Sequence, residues 1–144
     1  MKLQKATLFA LFSVLELARD PKRQISATEI AGTYGVSANH LAKVLRDLGR
    51  AGLVEAVRGV GGGYRFSGNA NRISLYDVIT LFGDMTTDGD GDGGVSDDTD
   101  IGRALGQVMN EVDEIAVATM KSITLATLLK TMRWQQDRVA AQSQ

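Results

Sequence analysis

The chain has 144 residues, enough to enclose one hydrophobic core in a single domain. Its 44% apolar and 23% charged residues are typical of a soluble globular protein, and no run approaches the ~20 apolar residues of a membrane span. The lack of cysteine excludes disulfides, thiolate metal sites and cysteine nucleophiles. The net charge of −1 hides an asymmetry, because residues 1–72 carry eleven Lys/Arg against five Asp/Glu and indicate a polyanionic partner.

The first 20 residues predict a buried helix and not a signal peptide. Glu16 and Arg19 interrupt the apolar run, and no small-residue cleavage site follows it. Apolar residues recur every three or four positions from Leu8 to Ala18, which is the spacing of a buried helix face. We therefore expect a cytoplasmic protein with a first helix over about residues 4–19.

The next segment predicts two short helices joined by a tight turn. Ser26 is a typical N-cap, and Glu29, three residues later, predicts a capping box. Gly35 ends this helix and Ser37 opens a third one over residues 38–51. Such a pair of helices forms a helix-turn-helix, although an ordinary αα-hairpin has the same outline.

The stretch "VEAVRGVGGGYRF", residues 54–66, places a glycine-rich loop between two β-prone runs. A phosphate-binding loop needs a helix after its glycines and a Gly-Lys-Ser/Thr sequence, and this stretch has neither. A hairpin that directly follows a helix-turn-helix is typical of the wing of a winged helix. Glycines allow such a wing to approach a duplex closely, and Arg58 can then enter a minor groove.

The C-terminal half predicts three more helices. Ser74 and Asp77 form a capping signature for a helix through about Phe82, and Thr124 caps a short helix toward Met132, followed by a frayed "AAQSQ". The long helix between them starts near Ile101 and has one broad apolar face, which comprises Leu105, Val108, Met109, Val112, Ile115, Ala116 and Met120. A second copy of the chain is the simplest cover for this face, and packing on the first helix is the alternative.

Three segments resemble one known family. "VSANHLAKVLRDLGRAGLVEAVRGVGGGYRF" from residue 36, "ISLYDVI" after the wing and "MKSITLATLL" from residue 120 are similar to the Rrf2 family of bacterial transcription regulators. The resemblance implies a mainly α fold with a small β-hairpin. Residues 1–83 would form a winged helix-turn-helix domain, 84–100 an acidic Gly/Asp loop, and 101–144 the dimerisation helix and a C-terminal helix.

The resemblance also implies a function. The expected protein is a homodimer that binds double-stranded DNA at a palindromic operator, most commonly as a repressor, with recognition helices centred ~34 Å apart. An enzyme is not expected, because the chain lacks a Ser/His/Asp set and paired carboxylates in an apolar setting. A different possibility is a protein-interaction regulator that acts through a bound metabolic enzyme, with the acidic loop as the docking surface.

Base reading is assigned to the N-terminal end of the third helix. Asn39 can pair with adenine and Lys43 can donate to guanine, whereas some relatives have a base-reading Glu where this chain has Ala42. Wing and N-terminal cations would contact phosphate or the minor groove, with an affinity that falls with salt. The predicted DNA-binding residues are Lys2, Lys5, Ser26, Thr28, Ser37, Asn39, His40, Lys43, Arg46, Arg58, Gly59, Gly61, Tyr64 and Arg65.

The loop before the long helix bears on cofactors. Many family members hold an iron–sulfur cluster there through three cysteines, some with an acidic ligand from the first helix, where this chain has Leu8. Without cysteine, no such cluster is expected.

The same loop contains an incomplete calcium motif. The residues with a ligand role in this motif would be Asp88, Asp90, Asp92 and Ser96. The spacing D-x-D-x-D-G opens an EF-hand loop, but Thr99 stands where a bidentate Glu is needed. A solvated acidic linker explains the composition as well and is the favoured interpretation, with calcium as the alternative.

Overall fold

A computed structural model of the chain describes residues 3–83 and 98–143. In these ranges the order of elements is α1 (Lys5–Ala18), α2 (Ala27–Tyr34), α3 (Ala38–Arg50), β1 (Val54–Val57), β2 (Gly63–Phe66), α4 (Leu75–Thr80), α5 (Asp100–Ser122) and α6 (Leu125–Gln142). The two strands pair antiparallel, with Val54 opposite Phe66. The predicted fold class, mainly α with a small β-hairpin, is confirmed. Among the described residues, no helix is both long and apolar enough to cross a membrane.

The core lies between α1, α3 and the hairpin. Leu17 of α1 and Leu45 and Leu48 of α3 are completely buried, and the spacing of such residues on α3 gives it one apolar face and one polar face. Burial of each leucine side chain is worth roughly 1.5 to 3 kcal/mol. The apolar face therefore determines which side of α3 points outward.

Hydroxyl side chains start five of the six described helices. Ser26 Oγ accepts from Glu29 N at 3.1 Å, and Ser37 Oγ accepts from His40 N at 3.3 Å. The corresponding caps of α4, α5 and α6 are Ser74, Thr99 and Thr124. Such a cap satisfies an amide that would otherwise lack a partner at the end of the helix.

One predicted capping box is present and one is incomplete. At α4, Ser74 Oγ accepts from Asp77 N at 3.1 Å and Asp77 Oδ2 accepts from Ser74 N at 2.9 Å. At α2 the prediction was wrong in its second half. The Glu29 carboxylate instead forms an ion pair with Arg23, in which Oε2 lies 3.8 Å from Nη2.

The C-terminal helix is longer than the sequence pattern predicted. Helix α6 has 18 residues and continues to Gln142, so the predicted end near Met132 and the frayed "AAQSQ" were wrong. Residues 132–142 contain no Gly or Pro, and most of them are good helix formers such as Ala, Gln and Arg. Propensity therefore extends the helix although its last part is exposed.

Backbone contacts attach the C-terminal helices to the winged part. Leu75 N donates to Ile123 O and Leu125 N donates to Ile73 O, both at 2.9 Å. The Leu125 side chain is completely buried in the same hydrophobic core as α1 and α3. This attachment supports α5, which is packed against α4 and leaves most of its surface uncovered.

Candidate nucleic-acid interface

Helix α3 presents a polar face at its N-terminal end. With Leu41 and Val44 buried, the side chains of Asn39, Lys43 and Arg46 are exposed, and their spacing places them on one stripe. Within the described part of the chain, neither Lys43 nor Arg46 forms an ion pair. An outward row of one amide and two cations is suited to base edges and phosphates.

His40 and Ser37 are partly engaged within the fold. The His40 ring lies edge-on to Phe9 of α1, with centroids 5.0 Å apart at 75°, although the residue as a whole is exposed. Ser37 is exposed too, and its hydroxyl oxygen accepts the N-cap hydrogen bond. Because α1 contacts the first turn of α3 through Phe9, the N-terminal end of α3, where base reading was predicted, is packed against α1.

The wing tip depends on glycine. Gly59 and Gly61 have φ values of 109° and 74°, which L side chains rarely adopt. Between them, Val60 projects fully into solvent, while Gly62 N donates to Gly59 O at 2.9 Å. The glycines that were predicted for close approach to DNA therefore also form the turn itself.

A contact that the sequence analysis missed holds the base of the wing. Ile25 N donates to Tyr64 O at 2.9 Å and Tyr64 N donates to Ile25 O at 2.8 Å, so residue 25 adds a short bridge to the edge of β2. A Cβ on Gly63 would come within 2.6 Å of Ile25 O. The only signal in the sequence was a lone β-branched residue before Ser26, which is too short to identify as a strand.

The wing carries two arginines in different settings. Arg65 of β2 is opposite Glu55 of β1, and its Nε donates to Glu55 Oε1. Arg58, at the start of the turn, is exposed and forms no ion pair with the described residues. Arg58 is therefore the readily available cation of the wing.

The remaining predicted contacts lie at helix starts. Ser26 and Thr28 are at the N-terminus of α2, which the Ile25–Tyr64 bridge places beside the wing, and Thr28 is exposed. Lys5 is exposed in the first turn of α1. Lys2 lies outside the described residues. The structure thus brings the start of α2 beside the wing and α1 beside the start of α3.

The predicted calcium ligands Asp88, Asp90, Asp92 and Ser96 also lie outside the described residues. At the start of α5, which follows this segment, Thr99 Oγ1 accepts from Gly102 N at 2.9 Å as the helix cap. Asp100 forms an ion pair with Arg103 at 2.9 Å. In residues 3–83 and 98–143, no three His, Asp or Glu side chains are placed to hold a metal ion. The calcium site stays a prediction.

Comparison with known proteins assigns the chain to a family. The model of the Rrf2 family, described as an iron-dependent transcriptional regulator, matches residues 3–131. A protein of Rhodopseudomonas palustris, named "Putative HTH-type transcriptional regulator BadM", is 52% identical over 132 residues, 92% of this chain and 83% of that protein.

Solved structures agree with this assignment. IscR of T. potens has a TM-score of 0.71 at 26% identity, with 92% of this chain and 88% of that chain covered. CymR of B. subtilis has a TM-score of 0.74 at 24% identity over 91% and 98% of the two chains, which shows a shared fold.

The family description raises the question of iron. This chain has no cysteine, and its one histidine is on α3 against Phe9, so its residues do not fit a cysteine-ligated iron–sulfur cluster. With a family match over nearly the whole chain, a relative at 52% identity and a winged helix-turn-helix in place, the protein belongs to the Rrf2 family and is a DNA-binding transcription regulator, not an enzyme.

Proposed function

We propose that the protein acts as a homodimer that binds a palindromic operator and represses transcription there. The main support for a homodimer is a stripe of apolar side chains on α5 that the rest of the described chain leaves exposed to solvent. Its members, exposed by 48% to 71%, are Ile101, Leu105, Val108, Met109, Val112 and Ile115. We call this set the α5 stripe.

The α5 stripe has the shape of an interface. At 3.6 residues per turn its six side chains fall within about 120° of the helix circumference, and the 23-residue helix is about 35 Å long. A continuous apolar surface of this size in water favours association with a complementary surface. A second copy of the chain supplies that surface through two-fold symmetry, in which the same patch contacts itself.

Two copies joined at α5 would present two recognition helices to one side of a duplex. We assign base reading to Asn39 and Lys43, and phosphate or minor-groove contact to Arg58 and Lys5. Half-sites about 10 base pairs apart would match the repeat of the double helix. Repression then follows from occupancy of the operator, without a cysteine-ligated cluster, in the cytoplasm where the bacterial DNA lies.

The deciding experiment is selection of bound sequences from random DNA duplexes by the full chain, with and without calcium, together with its mass in solution. Enrichment of a palindrome by a protein of twice the monomer mass supports the proposal. An enriched site without two-fold symmetry, or a monomer that binds with full affinity, would contradict the dimer. A change of enrichment with calcium would assign a sensing role to residues 84–100. If no sequence is enriched, a stoichiometric protein partner that co-purifies would favour the protein-interaction alternative.

A further inference from the structure

The wing contains one carboxylate where a DNA-binding surface is expected to be cationic. Glu55 and Arg65 are direct cross-strand neighbours, and the Nε–H of Arg65 donates to Glu55 Oε1. Both side chains are about half exposed, 45% for Glu55 and 46% for Arg65. The pair is therefore at the surface and accessible to a third charged group.

This arrangement makes the two wing arginines, Arg58 and Arg65, differ in how available they are to bind phosphate. Arg58, in the turn, has no ion pair with the described residues, whereas the charge of Arg65 is balanced by Glu55. A phosphate that approaches Arg65 must compete with a carboxylate already in place and is repelled by it. Before any duplex is bound, the wing thus offers one cation in place of the two in its sequence.

We propose that Glu55 limits the sequence-independent part of DNA affinity by holding Arg65 back from the DNA backbone. Non-specific affinity comes almost entirely from cations that replace counterions on phosphates, whereas specific affinity also includes base contacts. One cation fewer on each wing therefore lowers the affinity for operator and random duplexes by a similar factor, because the lost contact is to a phosphate in both. This inference rests on the proposed wing–DNA contact.

The test uses Glu55→Gln in the full chain, with affinity for a random-sequence duplex and for the selected operator measured over a range of salt. Each freed arginine makes the slope of log affinity against log salt more negative by about 0.9, which corresponds to roughly an eightfold gain in affinity at 0.1 M salt. The affinity for both duplexes should rise by a similar factor, so their ratio should change little. Asp137→Asn, the same charge change at an exposed site on α6, is the control and should leave both affinities unchanged.

A double-mutant cycle shows whether Glu55 acts through Arg65. Arg65→Gln alone should weaken random-duplex binding much less than Arg58→Gln, and Glu55→Gln should have little further effect in the Arg65→Gln background. An equal affinity gain in both backgrounds would overturn the inference, because Glu55 would then act only by its charge. No gain from Glu55→Gln while Arg58→Gln weakens binding would overturn this inference alone. If Arg58→Gln changes nothing, the proposed wing contact fails as well. Unchanged thermal melting of the variants excludes a folding defect.

Discussion

Ile25 and Tyr64 exchange two backbone hydrogen bonds, of 2.9 and 2.8 Å, across the edge of strand β2. Ile25 directly precedes Ser26, the N-cap of α2, so the bonds join the wing to the start of the helix-turn-helix. Such a bridge fixes the base of a hairpin that, as a two-stranded ribbon by itself, is marginally stable. Wing and helix-turn-helix are therefore expected to move as one unit.

Replacement of Gly63 tests this bridge. In Gly63→Ala the new Cβ would lie 2.6 Å from Ile25 O, which forces the backbones apart and should cost about 1 to 3 kcal/mol of unfolding free energy. Urea denaturation measures the loss, and DNA affinity should fall with it. Gly32→Ala is the matched control, since Gly32 is inside α2 with no atom within 4 Å of the new Cβ, and it should stabilise by up to about 1 kcal/mol. Equal effects of the two substitutions would contradict a special role for the bridge.

Arg58→Ala tests the wing as a DNA contact. Loss of one phosphate contact per wing should reduce the salt slope of log affinity by about 0.9 for each bound wing and lower the affinity at moderate salt. Fluorescence anisotropy titrations at several salt concentrations provide the slope. Arg133→Ala, an exposed arginine on α6, should leave the slope as it is. An Arg58→Ala protein with wild-type affinity would refute the wing assignment.

Asn39→Ala and Lys43→Ala test base reading. Each should cost about 1 to 3 kcal/mol of discrimination at one base pair of each half-site, because a hydrogen-bonded base edge loses its partner. When the selection of bound DNA sequences is repeated with each variant, the base preference should relax at one position of the half-site and stay the same at the other positions. Lys130→Ala, which removes a lysine on α6, should preserve the whole motif. A loss of affinity with no change in base preference would instead show that these residues contact the DNA backbone.

Val112→Asp tests the α5 stripe. A carboxylate at the centre of the stripe would be buried without a partner in the dimer, so the variant should sediment as a monomer and lose most operator affinity. Its helical circular dichroism should be retained, since Val112 is half exposed in the monomer. Gln107→Asp is on the opposite face of α5 and is expected to leave the dimer intact. If the Val112→Asp protein is still a dimer, the α5 stripe is not the dimer interface.

Tyr34 links α2 to α1 and predicts a pH dependence. Its hydroxyl donates to Glu16 Oε2 at 2.5 Å, its ring stacks on Phe12, and burial together with the nearby carboxylate raises its pKa to about 12. Because the folded pKa exceeds the unfolded value of about 10, the contribution of Tyr34 is complete below pH 10 and is lost as the pH rises toward 12.

Tyr34→Phe retains the ring stack and removes the hydrogen bond. It should destabilise the protein by about 1 to 2 kcal/mol at neutral pH, with a smaller difference from wild type above pH 11. Denaturant unfolding at pH 8 and pH 11.5 measures both values. A difference that stays constant between these pH values would show that the Tyr34 hydroxyl does not titrate in this way.

Local signals were sufficient for most of the helices and for the hairpin. Ser37, Ser74 and Thr124 cap the helices that they were predicted to cap, since an N-cap interaction spans only three residues. Glu29 shows the limit of such signals. The sequence allows its carboxylate either to accept from the backbone amide of Ser26 or to pair with Arg23. The folded chain has the ion pair with Arg23.

By itself, the sequence determined the family, the helix-turn-helix with its wing, and the outward residues of α3, because capping, glycine turns and helical periodicity operate over a few neighbouring positions. Only the tertiary structure decided that Ile25 anchors the wing, that Phe9 supports His40, and that Glu55 engages Arg65 while Arg58 remains available. Each of these pairs is formed by packing or strand register between residues separated by 10 to 39 positions. No local rule describes such a pairing.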